Sequence, residues 1–144
     1  MKLLMLAGCV LPISNQLIQI LNTELKNAYP TLQDFSSLIA ITFNFQDPDY
    51  SAELGGYHPV EIRLTHDASR FKLDYITDFS YVGTGWNREL AKEIDFDLQA
   101  GICEMRFCKP IPVAEAGDLF NMFQENFLAY YQMDIFTTTI TLDN

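Results

Sequence analysis

The sequence predicts an α+β domain built on a mainly antiparallel sheet of five to six strands, with two helices packed on one face. Two observations carry that expectation. Short segments between residues 39 and 107 alternate apolar and polar with period two, and stretches of helical periodicity stand before and after them. The links between the alternating segments are short, which favours antiparallel neighbours and therefore a meander. Helices that flank such a run gather on one face of the sheet.

The first helix is expected over Asn15 to Ala28. Ser14 suits an N-cap after Pro12, Leu17, Ile18, Leu21, Leu25 and Ala28 fall on one stripe, and Tyr29-Pro30 ends the run. In the first strand Ile39, Ile41, Phe43 and Phe45 share a face. In the second, Val60, Ile62 and Leu64 oppose Glu61 and Arg63. The third sets Phe71, Leu73, Tyr75, Phe79 and Tyr81 against Lys72, Asp74, Asp78 and Ser80, and the turn Gly83-Thr84-Gly85-Trp86-Asn87 follows. The fourth sets Ile94, Phe96 and Leu98 against Glu93, Asp95 and Asp97; the fifth sets Cys103, Met105 and Phe107 against Glu104 and Arg106. Pro110 and Pro112 stop the last of these. A second helix from about Val113 to Tyr131 presents Ala116, Leu119, Phe120, Phe123, Phe127 and Tyr130 or Tyr131 on one side, toward the core. A final segment, Ile135 to Leu142, alternates with threonines, whose branched Cβ suits a pleated surface.

A chain of 144 residues fits one domain spanning 1–144, with 1–11 as a peripheral N-terminal segment. Nearly half the residues are apolar, enough for a packed core without a metal or disulfide. Nine Lys and Arg against nineteen Asp and Glu give a net charge of −10. That field repels phosphate backbones and anionic membranes, so neither direct nucleic-acid binding nor membrane binding is expected, while a protein partner, basic ones included, remains open. Cys9, Cys103 and Cys108 are odd in number and form no Cys-x-x-Cys pair, which points to reduced thiols and a cytoplasmic location. Leu6-Ala7-Gly8-Cys9 has the look of a lipoprotein signal and makes a lipid anchor through Cys9 the alternative. The apolar run Leu3 to Ala7 is shorter than an export signal requires.

Leu11-Pro12-Ile13-Ser14, Tyr50-Ser51-Ala52-Glu53, Gly55-Gly56-Tyr57-His58-Pro59-Val60-Glu61-Ile62, Tyr75-Ile76-Thr77-Asp78-Phe79 and Lys92-Glu93-Ile94-Asp95-Phe96-Asp97 form a set of motifs. Together they resemble the bacterial family catalogued as Domain of Unknown Function 2787. The resemblance covers nearly the whole chain from Leu11 onward and implies a single-domain bacterial protein. It brings no activity, cofactor or catalytic residue with it.

The polar loop from Asp47 to Pro59, between the first two strands, is the first candidate for a working surface. Asp47, Asp49, Ser51 and Glu53 alternate like calcium ligands, but counting from Asp47 the sixth and twelfth positions are Ala52 and His58 rather than glycine and glutamate. No metal or cofactor is expected. His58 shares parity with Val60 and Ile62, so its ring turns toward the core side, within reach of Asp47, Asp49, Tyr50 or Glu53. A histidine so placed anchors a loop more often than it catalyses, although with a carboxylate it can act as a general base. Glu61, Asp74, Asp78, Glu93, Asp95, Asp97 and Glu104, offset by Arg63, Lys72 and Arg106, form an acidic sheet face with a count of −4. Trp86 in its glycine turn is a candidate interface anchor.

These features predict a non-enzymatic binding or regulatory module that meets a protein partner through the 47–58 loop, Trp86 and the acidic face. Tyr50, Tyr57, His58, Trp86, Asp78, Asp95 and Asp97 are its contact candidates. The alternative is a small hydrolase or isomerase whose weak catalytic candidates are His58 with Asp47, Asp49 or Glu53.

Overall fold

The computed structural model describes residues 7–144. Helix α1 (Asn15–Ala28) precedes strands β1 (Ala40–Gln46), β2 (Val60–Asp67), β3 (Arg70–Val82), β4 (Glu89–Asp97), β5 (Ile102–Met105) and β6 (Ile111–Pro112). Helix α2 (Gly117–Gln132) and strand β7 (Thr137–Asp143) complete the domain. The fold is α+β, as predicted, but among the described residues the sheet has seven antiparallel strands rather than five to six, in the order β6-β5-β4-β3-β2-β1-β7. The additional strand is β6, a two-residue pairing of Ile111 and Pro112 with Cys103 and Ile102. Proline is tolerated there because β6 is the sheet edge, where a missing N–H breaks no ladder. The first six strands form the expected meander, and α2 carries the chain back across the sheet so that β7 pairs with β1.

Ser14 accepts the Leu17 N–H at 3.1 Å and caps α1 as expected. Its buried stripe is Leu17, Ile20, Leu21 and Leu25; Ile20 takes the inward place assigned to Ala28, which is exposed. A buried glutamine of α2 ties the two helices together. Gln124 accepts the Ser14 N–H at 2.9 Å and donates to the Pro12 carbonyl at 3.1 Å, which satisfies both halves of its amide. Leu11 is buried and Cys9 packs against the core, so this part of the N-terminal segment is held to the domain. Most of the apolar run Leu3 to Ala7, with Lys2 before it, lies outside the described residues.

Both helices feed one core with the inward residues of the strands. Phe45 meets Phe127, and Phe96 meets Phe120, in edge-to-face contacts with centroids 5.0 and 5.2 Å apart. The period-two expectation fails at β3 and β4, where two β-bulges intervene. Arg63 lies opposite Tyr75 while Leu64 lies opposite Leu73, so Asp74 is an extra residue; Asp78 lies opposite Ile94 while Phe79 lies opposite Lys92, so Glu93 is another. An added residue moves every later side chain to the other face. Ile76 therefore packs inward between Ile62 and Phe96, while Tyr75, Phe79 and Tyr81, expected inside, turn to the open face. Asp78, expected on the polar face, turns to the helix-covered side opposite Val60. At the far edge Met105 and Phe107 are exposed, because β5 ends at Met105 and Phe107 enters a turn with φ of 65°.

The open face is a layer of paired polar groups. Tyr75 donates to Glu61 at 2.5 Å, Thr77 to Asp95 at 2.6 Å, and Lys92 to Asp95 at 3.3 Å. Arg63 pairs with Asp74 at 3.2 Å and Asp143 at 3.3 Å. Burial and Glu61 push the Tyr75 phenol well above its usual range, so it remains a donor.

Candidate functional site

The loop from Asp47 to Pro59 is a compact unit stitched by its own backbone. Asp47 accepts the Asp49 N–H at 2.9 Å with one oxygen and the Tyr57 N–H at 3.0 Å with the other. Ser51 and Gly55 exchange backbone hydrogen bonds of 3.1 and 2.9 Å, and the Ser51 hydroxyl accepts the Leu54 N–H. Gly56, at φ +133°, lies so close to Asp47 and Tyr50 that a Cβ would come within 2.9 Å of the Asp47 carboxylate, so glycine is required. The Tyr50 hydroxyl accepts the Tyr81 N–H from β3 at 3.2 Å, and its ring lies 5.5 Å from that of His58. The loop thus presents His58 in a fixed place.

The partners of His58 come from the bulged strands, not from the loop. Its Nδ1 lies 3.1 Å from Asp78 Oδ2 and 2.9 Å from Glu93 Oε2. The other oxygen of each carboxylate is anchored separately: Asp78 Oδ1 accepts the Ile94 N–H at 2.8 Å, and Glu93 Oε1 accepts the Ser80 hydroxyl at 3.4 Å. Arg106 from the β5 end donates to Ser80 Oγ at 2.8 Å and to the carbonyls of Ser80, Ala91 and Lys92. The Asp78 side chain is 9% exposed, whereas His58 and Glu93 are 36% and 37% exposed. The hydrogen bond with Asp78 raises the His58 pKa above its ordinary 6.5; partial burial works against this, the Glu93 and Asp78 charges add to it, and Arg106 opposes it.

His58 and Asp78 form the polar end of a cleft of about 330 Å³ between the 56–58 segment, the sheet and α2. Its walls include Tyr57, Leu119, Met122, Phe123, Tyr130 and Phe136. Tyr57 packs against Tyr130 with ring centroids 4.6 Å apart and planes tilted by 58°, which fixes the loop against the helix. Phe123, expected to be core, is half-buried and lines this cleft.

Of the sequence candidates, the structure brings together His58, Asp78 and Tyr50, with Tyr57 at the cleft wall. Asp47 is a staple of the loop, Asp49 is exposed, and Glu53 pairs with Arg88 of the β3–β4 connection. Asp95 belongs to the open-face layer, and Asp97 accepts the Ala100 N–H at 2.9 Å in a turn. Trp86 projects fully exposed from a single 3-10 turn. Glu93 and Arg106, assigned to the acidic face, belong to the His58 cluster, and the cleft residues of α2 were not foreseen. The signal for the shift lay in Ile76, an apolar residue at a position where strict alternation called for a polar one.

A comparison with curated proteins finds no match. The hypothetical protein VC0508 from the VSP-II pathogenicity island of Vibrio cholerae has a similar structure, with a TM-score of 0.88 and 30% identity over 97% of this chain and 99% of its own. VC1805, from the VPI-2 pathogenicity island of the same species, aligns with a TM-score of 0.81 and 32% identity over 95% of this chain and 100% of its own; it is described as sharing structural homology with the human P32 protein. The family model DUF2787, a protein of unknown function, matches residues 15–142, and the chain belongs to that family.

Proposed function

We propose that the chain is a non-enzymatic binding module whose cleft receives an apolar side chain from a basic segment of a protein partner. The observation that carries this reading is the cleft itself: aromatic and aliphatic walls with a few fixed polar groups at one end, as ligand sites are generally built. Asp49 stands on the exposed side of the adjoining loop, and the net charge of −10 favours a cationic partner. Among the described residues no hydroxyl or thiol hydrogen-bonds to His58, so the geometry favours binding over nucleophilic catalysis. Free Cys9, Cys103 and Cys108 support a cytoplasmic location, and among the described residues no helix is long and apolar enough to cross a membrane.

Selection from a random peptide library, followed by fluorescence polarisation, tests the proposal. The expected winners carry an aromatic or aliphatic anchor flanked by Lys or Arg. Met122 stands exposed at the cleft, so Met122→Asp discriminates between driving forces. It adds an attractive charge for a basic peptide but wets the apolar wall, and is expected to weaken binding at least about tenfold. Tighter binding would show that charge alone drives association, and peptides without an apolar anchor would sink the cleft assignment.

A further inference from the structure

We infer that His58, Asp78 and Glu93 form a binding site for one divalent first-row transition-metal ion at the polar end of the cleft. The inference stands independently of what occupies the apolar part.

Three ligand residues converge from the loop before β2, from β3 and from β4: one ligand atom of each lies within 4.8 Å of those of the other two. The two separations from Nδ1 are 2.9 and 3.1 Å. Metal bonds of about 2.1 Å set ligands at right angles about 3.0 Å apart, so each of these two distances matches an edge of an octahedron. A proton serves the arrangement less well. Nδ1 carries at most one hydrogen, and a single N–H cannot point along both contacts, whereas an ion with several coordination positions satisfies all three groups together.

The surroundings are those of a supported ligand set. Ile94 N–H holds the second oxygen of Asp78, and the Ser80 hydroxyl, itself fixed by Arg106, holds the second oxygen of Glu93. Such outer contacts leave one oxygen of each carboxylate directed at the imidazole and fix its position. The imidazole selects against magnesium and calcium, which favour all-oxygen sites, and for ions such as cobalt, nickel or zinc. His58 and Asp78 both line the cleft, so an ion held there would stand beside the space that a ligand would enter. Arg106 limits the local surplus of negative charge and so discourages a second cation.

The test uses the full chain after chelator treatment, titrated with Co²⁺ by calorimetry and visible absorption, with Mg²⁺ in parallel. One Co²⁺ per chain is expected, with an absorption spectrum distinct from the aqua ion and no comparable Mg²⁺ heat. His58→Ala and Glu93→Gln are expected to raise the Kd at least about tenfold, and Asp118→Asn, exposed on α2, to leave it unchanged. Both site variants alter half-exposed groups, and circular dichroism confirms their folding, so the result does not depend on the more buried Asp78. An aqua-ion spectrum up to millimolar Co²⁺, equal Mg²⁺ affinity, or binding that survives both variants would overturn the assignment.

Discussion

Replacing His58 by alanine in the metal-free protein is expected to cost about 1–3 kcal/mol of stability, the usual price of stranding a buried polar group. The stranded group is Asp78. Its side chain is only 9% exposed, Oδ1 keeps its bond from Ile94 N–H, and Oδ2 loses the imidazole. Glu93, at 37% exposure, rehydrates and adds little. The loss should depend on pH in a definite sense. Because the folded-state pKa of His58 is raised, the stabilisation from the imidazolium is fully present below the unfolded value of 6.5 and is lost as pH rises through the higher folded value. Urea melts with chelator at about pH 6 and about pH 9 should therefore show the larger deficit at the lower pH. In an Asp78→Asn background the same His58→Ala change should cost less than half as much, since the group left behind is neutral and its amide oxygen can still serve Ile94. A deficit under about 0.5 kcal/mol at the lower pH, or one that grows with pH, would refute this account of the cluster.

Phe96→Ala is expected to destabilise by about 3–5 kcal/mol, because the ring has no exposure and packs edge-on to Phe120. Phe123→Ala, at the cleft wall, should cost less than half of that, and equal costs in urea melts would show that the cleft is closed core. Gly83→Ala should cost more than about 1 kcal/mol, since φ is +84° and a Cβ would stand 2.3 Å from the Asn87 carbonyl oxygen. An unchanged denaturation midpoint would mean that the β3–β4 turn has another conformation.

The elements themselves were legible because local chemistry decides them: Ser14 caps α1, the apolar stripes of both helices repeat at helical spacing, and short polar links close the meander. Register was legible only as far as Leu73. Alternation assigns a face by counting, and a bulge changes the count without leaving a composition signal of its own. Asp74 and Glu93 are such extra residues, and between them the chain carries Ile76 inward and Asp78 to the helix-covered side. Counting by parity turned His58 to the core side but assigned its two carboxylate partners to the opposite face, leaving as its apparent neighbours the loop acids, of which Asp47 stitches the loop and Glu53 pairs with Arg88. The departure from regular pairing is also what makes the cluster possible. A regular β3–β4 ladder continued through this region would alternate faces along each strand, whereas the bulge at Glu93 lets that carboxylate and Asp78 converge on one imidazole while Ile94 keeps its place beside the cleft. Bulges give up ladder hydrogen bonds, and here Arg106 takes up the Lys92 carbonyl beside the irregularity, so the group that repairs the strand also fixes Ser80 against Glu93. The backbone defect, its repair and the side-chain cluster form one structural unit, which is why the pattern that predicts the sheet fails where the candidate site begins.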